Sequence, residues 1–210
     1  MINVSLVDDH ELIREGLKKV LAQYPDIKVV GESGDAAGLF RELGRTHTDV
    51  LLLDISLPGK SGFEILKDVT LRFPKVRVLV LTMHPEERFA LRTLRAGAFG
   101  YITKEAGGEE IVNAIRKIAS GRKYVTESLT QELIFELSDN RTELPHERLS
   151  DREYEVFLRL ASGKSNQEIA DALSLSVNTV ATYKSRVLEK LNVRTKVELA
   201  RYAMEHDLVD

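Results

Sequence analysis

The segment VLLLDISLPGKSG at residues 50–62 decides how the rest of the chain should be interpreted. Four apolar residues run directly into a carboxylate, Asp54, and Pro58 and Gly59 of a turn follow it. A short apolar run that ends in turn residues is typical of a strand buried on both faces, as in a parallel sheet. The segment therefore predicts a buried strand that presents an acidic side chain at the point where it ends.

Apolar runs and helical patterns alternate over about the first 120 residues. Strand-like runs that contain β-branched residues lie at residues 2–7, 27–30, 50–53, 76–81 and 99–102. Between and after them, apolar residues recur three and four positions apart, as on the buried face of a helix. Strands buried on both faces that alternate with helices form a parallel sheet covered on both sides. We therefore expect a doubly wound α/β domain with five strands at residues 1–121.

The remainder of the chain has a helical pattern. Residues 122–148 contain one amphipathic segment, ESLTQELIFELS, and a polar segment, DNRTELPHER, which indicate a linker that includes a helix. Beyond it, a Ser or Thr is followed three residues later by Glu in three places, which is the signature of a capping box. These pairs are Ser150 with Glu153, Ser165 with Glu168, and Thr195 with Glu198. With Ser176 as a further N-cap, residues 149–210 are predicted to form a small all-α domain of four helices.

Composition excludes several kinds of protein. The chain has no cysteine, so disulfides and thiolate metal sites are excluded. Its first residues, MINVSLVDDHELIR, are unlike a signal peptide, and no apolar stretch approaches the ~20 residues that span a bilayer. We expect a cytoplasmic protein with no membrane partner. The net charge is −3, but residues 178–201 carry six Lys or Arg against two Glu, which favours an anionic partner there.

Polar side chains are expected to gather at one edge of the sheet. Asp8 and Asp9 follow the first strand, Asp54 ends the third, Thr82 follows the fourth, and Lys104 follows the fifth. Each has an ordinary alternative as a helix cap, a turn residue or a surface lysine, but the carboxyl ends of parallel strands share one edge. Three carboxylates there would repel one another unless a hard cation such as Mg2+ bound them. A lysine and a hydroxyl suit the oxygens of a phosphoryl group.

The motifs VDDH, LLLDISLPGKSG, LTMH and GYITKE resemble, in order and spacing, the receiver domain of two-component response regulators. The resemblance implies a flavodoxin-like sheet of order 2-1-3-4-5, with Asp54 accepting a phosphoryl group from a histidine kinase. It implies that Mg2+ binds to Asp8, Asp9, Asp54 and the backbone carbonyl of Ser56. It also implies that Lys104 contacts the phosphoryl oxygens, that Thr82 moves to bond one of them, and that Tyr101 is an aromatic switch.

Three positions depart from the common receiver pattern. Glu105 stands where many receivers have proline after the lysine, and Ser56 and His84 lie two residues beyond Asp54 and Thr82. Positions two residues beyond these groups flank the path of the water that would attack the phosphoryl group. The lifetime of the phosphorylated form is therefore left open by the sequence.

A helix predicted at residues 177–191 has two distinct faces. Its inner face carries Val180, Val187, Leu188 and Leu191, whereas short polar side chains and Arg186 lie opposite. Such a face is either solvated or suited to insertion into a major groove. Residues 149–208 resemble the LuxR-type domain of NarL/FixJ response regulators, which implies that this helix reads promoter DNA and that Lys164 and Lys190 contact phosphates. The candidate DNA-binding residues are Lys164, Asn178, Thr179, Ala181, Thr182, Lys184, Ser185, Arg186 and Lys190. Ala181 replaces a residue that is often basic in relatives, and Lys184 lies nearer the inner face.

The last helix, at residues 195–206, carries two apolar stripes. We predict that Val197, Ala200 and Met204 face the core of the small domain. The second stripe would then form a homodimer upon phosphorylation or DNA binding, and its candidate dimer residues are Leu199, Tyr202 and Ala203. The alternative is that Tyr202 packs back onto its own domain.

The sequence thus predicts a phosphorylation-dependent transcription regulator, whose chemistry is limited to its own phosphorylation and dephosphorylation. An aspartate-based phosphohydrolase is a first alternative, but such enzymes place a second Asp two residues after the nucleophile, where this chain has Ser56. A small-molecule sensor with the same DNA-binding module is a second alternative and would need an apolar ligand cavity. A regulator that binds DNA without phosphorylation is a third, and the complete acidic set argues against it.

Overall fold

The computed structural model describes residues 1–57, 61–82, 86–126 and 144–209, without the side chains of residues 86–89. The chain divides into two units, Met1–Asp139 and Asn140–Asp210. No helix within the described residues is long and apolar enough to cross a membrane.

The first unit is a parallel sheet with strand order β2-β1-β3-β4-β5, the order that the resemblance to receiver domains implies. Its strands are β1 (Ile2–Val7), β2 (Ile27–Ser33), β3 (Val50–Leu53), β4 (Arg77–Thr82) and β5 (Gly100–Thr103). The helices that alternate with them are α1 (Glu11–Leu21), α2 (Ala36–Leu43), α3 (Gly62–Arg72), α4 (Glu86–Arg95) and α5 (Gly108–Ala119). The doubly wound prediction is therefore confirmed.

The register of the sheet brings the strand ends to one level. All four residues of β3 are buried, because helices cover both faces of this central strand. Val7 of β1 pairs with Leu53 of β3, so Asp8 and Asp54 leave neighbouring strands at the same height. Thr82 pairs with Thr103, so Lys104 leaves β5 beside the end of β4.

A feature that the sequence did not predict lies at the outer edge of the sheet. After α5 the chain returns alongside β5, where the Tyr124 N–H donates to the Phe99 carbonyl at 2.8 Å and Gly100 forms a parallel bridge with Tyr124. The Tyr124 hydroxyl also donates to Glu110 Oε1 at 3.0 Å. Gly100 permits this approach, since a Cβ there would lie 2.8 Å from the Tyr124 carbonyl oxygen. The segment around Tyr124 therefore covers the start of the edge strand.

Every regular element in the described residues of the second unit is a helix. It begins with a 3-10 helix, Pro145–Arg148, and continues with α6 (Asp151–Ala161), α7 (Asn166–Leu173), α8 (Val177–Lys190) and α9 (Lys196–Glu205). The four predicted helices are thus present. The amphipathic helix that the sequence predicts before them falls mainly on residues 127–143, outside the described part of the chain.

The predicted N-caps are present, with one difference in detail. Ser150 and Ser165 form complete capping boxes, and Ser176 accepts from the Thr179 N–H. Thr195 also accepts from the Glu198 N–H, but the Glu198 carboxylate accepts from the Arg194 N–H at 2.8 Å instead of returning to Thr195. The last box is therefore shifted by one residue on its carboxylate side.

The predicted orientation of α9 is wrong. Leu199 and Ala203 are fully buried, whereas Val197 is 80% exposed and Met204 is 58% exposed. The helix packs on α6 through the other side, which includes Tyr202, and after it the chain turns at Asp207, which has a φ of 53°, where the Leu208 N–H bonds the Ala203 carbonyl at 2.8 Å. Leu208 and Val209, which follow this turn, are buried as well.

Tyr202 follows the alternative that was left open. Its ring packs against Phe157 of α6, with centroids 6.2 Å apart, and its hydroxyl hydrogen-bonds His146 Nδ1 at 3.0 Å. Leu199, Tyr202 and Ala203 therefore belong to the interior or flank of their own unit. The exposed apolar side of α9 is instead the one with Val197 and Met204.

Candidate functional sites

The acidic residues predicted at the sheet edge do lie together. Asp8, Asp9, His10 and Asp54 each offer a ligand atom, and these atoms lie within 4.8 Å of one another. Asp8 and Asp54 are buried, whereas Asp9 and His10 are exposed. The Asp54 N–H donates to the Val7 carbonyl at 2.8 Å, which continues the strand ladder and fixes where the carboxylate emerges.

Lys104 lies between the two buried carboxylates. Its Nζ is 2.6 Å from Asp54 Oδ2 and 2.5 Å from Asp8 Oδ2, and its side chain is only 4% exposed. The ordinary interpretation of Lys104 as a surface lysine is therefore wrong. One ammonium facing two carboxylates leaves this trio with a net negative charge, which attracts a further cation.

The pKa values reflect this arrangement. Burial raises the pKa of Asp54, while hydrogen bonds from Lys104 and from the Ser56 N–H act in the opposite direction. Burial alone would lower the pKa of Lys104, but the hydrogen bonds with Asp54 and Asp8 outweigh it and hold that pKa above its ordinary value. Lys104 therefore stays protonated at neutral pH.

The other predicted receiver residues are placed around this trio. The Ser56 N–H donates to Asp54 Oδ1 at 2.8 Å, so the described contact of Ser56 is through its N–H, whereas its carbonyl was the predicted metal ligand. Thr82 is the last residue of β4 and is fully buried. Tyr101 is buried on the neighbouring strand β5. His84 lies outside the described residues.

Sequence reasoning missed two residues of this site. His10 Nδ1 is 3.2 Å from Asp8 Oδ1 and 2.9 Å from Asp9 Oδ1. Arg14, one helical turn further on, donates from Nη1 to the Asp8 carbonyl at 2.7 Å. Their spacing after the acidic pair could have indicated them. His10 is the N-cap of the helix that begins at residue 11, and Arg14 lies four positions later, on the same face of that helix.

The donor set fits a hard divalent cation. Carboxylate oxygens predominate, and Mg2+ is held in proteins by one or two carboxylates together with waters. Burial of two of the three carboxylates with a single compensating lysine adds an electrostatic reason for a cation to bind. The cluster of Asp8, Asp9 and Asp54 could therefore hold such an ion.

A second candidate site lies on the exposed face of α8. Val180 and Val187 are buried, and the side chains of Asn178, Thr182, Ser185, Arg186 and Glu189 are exposed, as predicted. An open depression of about 350 Å³ is lined by Asn178, Thr179, Thr182, Tyr183 and Arg186. The sequence reasoning did not single out Tyr183.

The hydroxyl groups on this face are oriented by the helix itself. Thr182 Oγ1 donates to the Asn178 carbonyl at 3.0 Å, and Ser185 Oγ donates to the Ala181 carbonyl at 3.1 Å. Each oxygen therefore presents lone pairs to the outside, where it can accept a hydrogen bond from a base. Ala181 and Lys184 are half-buried beside them.

The two predicted phosphate-contacting lysines differ in their surroundings. Lys164 Nζ lies 3.5 Å from Glu168 Oε1, and both side chains are more than half exposed. Lys190 Nζ lies 2.6 Å from Oε2 of Glu153, a buried residue of α6, and 3.4 Å from the Arg148 carbonyl. The sequence reasoning did not predict this partner of Lys190.

Two family models match the chain. Residues 4–116 match the response regulator receiver domain, and residues 147–203 match the bacterial regulatory proteins of the luxR family. Together they account for most of both units.

Two relatives match over nearly the whole chain. Response regulator UvrY of Escherichia coli K12 is 37% identical over 209 residues, covering 99% of this chain and 96% of its own. Response regulator GacA of Pseudomonas aeruginosa is 39% identical over 214 residues, covering 100% and 99%.

Two solved structures are similar to this chain over its whole length. RcsB from Salmonella typhimurium has a TM-score of 0.71 at 27% identity, covering 100% of this chain and 98% of its own. A complex of the two-component response regulator RcsB with DNA has a TM-score of 0.60 at 28% identity, covering 100% and 99%.

Proposed function

The chain belongs to the NarL/FixJ response regulators, which join a receiver domain to a LuxR-type DNA-binding domain and regulate transcription, and we propose that phosphorylation of Asp54 controls its binding to promoter DNA. The observation that carries this proposal is the buried pair of Asp54 and Lys104 at the sheet edge. Such a pair combines a nucleophile with a cation for the incoming phosphoryl oxygens.

The chemical step is a transfer between two side chains. The donor is a phosphohistidine of a histidine kinase. A carboxylate oxygen of Asp54 forms a bond to phosphorus as the bond from phosphorus to the donor imidazole breaks, and the imidazole takes up a proton. The ammonium of Lys104 stays with the phosphoryl oxygens that carry the charge.

The metal site is made from the same residues. Asp8, Asp9, Asp54 and the carbonyl of Ser56 would hold Mg2+, which when bound offsets the negative charge of the carboxylates and the phosphoryl group. Arg14 anchors the main chain of Asp8 and so keeps its carboxylate beside Asp54. Loss of the phosphoryl group to water reverses the switch, with Ser56 flanking the path of that water.

Two further residues would carry the signal away from Asp54. Thr82 ends β4 beside Lys104, whose N–H bonds the Thr82 carbonyl at 2.8 Å. A small shift of this strand end lets the Thr82 hydroxyl donate to a phosphoryl oxygen. Tyr101 lies buried on the adjoining strand β5, and we infer that its ring changes position when Thr82 moves.

The DNA-binding surface is the exposed face of α8. Thr182, Ser185 and Arg186 are the candidates for base contacts, since their polar groups project from the helix. Asn178 and Thr179 flank them at the start of the helix, and the half-buried Ala181 is placed to meet a thymine methyl group. Lys164, with a weak exposed partner, is a candidate phosphate contact.

Dimerisation is the remaining part of the proposal. Two copies would bind two half-sites symmetrically upon phosphorylation or DNA binding. The exposed apolar side chains of Val197 and Met204 on α9 replace Leu199 and Ala203 as the candidate surface, because a buried side chain offers no contact area.

A kinase donor and promoter DNA are both cytoplasmic, and we assign this chain to the same compartment.

The test combines labelling with DNA binding. The full chain is incubated with Mg2+ and a small phosphodonor, and its intact mass is measured. Asp54→Asn should abolish the adduct, whereas Asp26→Asn, a change at an exposed pair with Arg116, should leave it unchanged. The wild-type chain should bind promoter DNA more tightly once labelled. Lys104→Ala should retain some labelling but show no such rise in DNA affinity. Equal labelling of the Asp54→Asn chain would refute the assignment, and equal DNA affinity with and without the adduct would favour a phosphorylation-independent regulator.

A further inference from the structure

The C-terminal end of α8 is tied to the start of α6 by a buried carboxylate. Lys190 is the last residue of α8, and its Nζ lies 2.6 Å from Glu153 Oε2. The Glu153 side chain is 4% exposed and that of Lys190 is 40% exposed. The same Glu153 oxygen accepts from the Ser150 N–H at 2.7 Å, as part of the capping box of α6.

The buried charge of Glu153 depends on its hydrogen-bond partners. Burial on its own raises the pKa of Glu153, but hydrogen bonds from Lys190 and Ser150 outweigh it, and the net pKa lies below its ordinary value. Glu153 is therefore ionised at neutral pH inside the domain. A buried charge that loses its partner costs far more than an exposed one, so Lys190 is held in place.

A phosphate bound to the Lys190 ammonium would compete for it with Glu153, and any shift of the ammonium towards DNA would weaken the compensation of a buried charge. Lys164 shows the contrasting case. Its contact with Glu168 is long and exposed, so Lys164 can readily exchange this carboxylate for a phosphate. The two lysines that resemblance treats alike therefore have different physical constraints.

We propose that Lys190 is a positioning residue, which sets the placement of α8 through Glu153 and does not contact the DNA backbone. Its ammonium also lies 3.4 Å from the Arg148 carbonyl, so one side chain joins the 3-10 helix, the start of α6 and the end of α8. The proposal rests on the use of α8 as the recognition helix. It replaces the phosphate contact that resemblance suggests for this lysine.

The decisive measurement is the salt dependence of DNA affinity. The probe is a duplex that the wild-type full-length chain enriches from a randomised library. Each phosphate contact that a substitution removes lowers the slope of log affinity against log salt concentration by about one. Lys190→Gln should weaken binding roughly tenfold with an unchanged slope. Lys164→Gln is the matched control and should lower the slope by about one.

Glu153→Gln provides the second, independent comparison. Removing a negative charge from a DNA-binding domain would by itself tighten binding to a polyanion. We expect it instead to weaken binding roughly tenfold, and the double variant Glu153→Gln, Lys190→Gln should bind no worse than either single variant. Lys190→Arg keeps the ion pair and should retain wild-type affinity. Circular dichroism at the assay temperature establishes that each variant is folded.

The opposite pattern would overturn the proposal. A salt slope lowered by about one in Lys190→Gln, together with unchanged or tighter binding by Glu153→Gln, makes Lys190 a phosphate contact. Acetylation of lysines in the wild-type chain supplies a readout that needs no variant: a phosphate contact is protected by the duplex, whereas Lys190 should react equally slowly with and without it. If Thr182→Ala with Ser185→Ala changes neither affinity nor preference, α8 is not the recognition helix and both proposals fail.

Discussion

The buried face of α9 can be tested by comparing two single truncations. Leu199 is fully buried and Val197 is 80% exposed, although they lie only two residues apart on the same helix. Leu199→Ala removes buried methyl groups and leaves a cavity, which costs about 2–5 kcal/mol. Val197→Ala removes atoms that are already in water and should change the free energy of unfolding by less than about 0.5 kcal/mol.

This difference is large relative to the domain. A unit of 71 residues, Asn140–Asp210, is expected to have a free energy of unfolding of about 4–10 kcal/mol. Leu199→Ala should therefore remove a large part of that stability. The assay is denaturation of the full chain followed by hydrogen exchange at peptides within residues 151–205, because those peptides report on the second unit alone. A cost for Val197→Ala equal to or above that for Leu199→Ala would show that α9 is turned the other way.

Three further perturbations test other parts of the structure. The pKa of Glu153 is below its ordinary value of 4.5, so the stabilisation from this ionised carboxylate is complete above about pH 4.5 and is lost as the pH falls through the folded-state pKa. Glu153→Gln should flatten this pH dependence of the free energy of unfolding in denaturation curves, and an unaltered pH dependence would contradict the assignment. Ser150→Ala removes an N-cap acceptor and should cost about 1 kcal/mol in the same denaturation assay, with a negligible cost arguing against the capping box. Gly100→Ala would bring a Cβ to 2.8 Å from the Tyr124 carbonyl oxygen and should accelerate amide exchange at Tyr124, whereas unchanged protection would show that the segment accommodates a side chain.

Much of the first unit could be predicted because its determinants are local. The run at residues 50–53 is apolar throughout and is followed by turn residues, so strand and boundary are visible together. The meeting of Asp8, Asp54 and Lys104 then follows from a general property of parallel sheets, whose strand ends share an edge. Distances such as the 2.6 Å between Lys104 and Asp54 needed the structure.

The failures concern information held far along the chain or beyond the element in question. The two stripes of α9 are about equally apolar, and the one that packs inward includes Tyr202, whose partner Phe157 lies far earlier in the chain, on α6. The partner of Lys190 is Glu153, 37 residues earlier, and no pattern within α8 indicates it. Tyr124 was assigned to a linker because a single bridge to β5 leaves no periodic signal.

The return of Tyr124 to β5 bears on where this chain can be cut and joined to other proteins. A receiver fragment that stopped after α5 would leave the backbone groups of Phe99 and Gly100 bare on an edge strand, and bare edges invite pairing between copies. It would also remove the tyrosine whose hydroxyl reaches Glu110 on α5. Chimeric regulators built from this receiver should therefore place the junction after residue 126, so that the transplanted sheet carries its own edge cover with it.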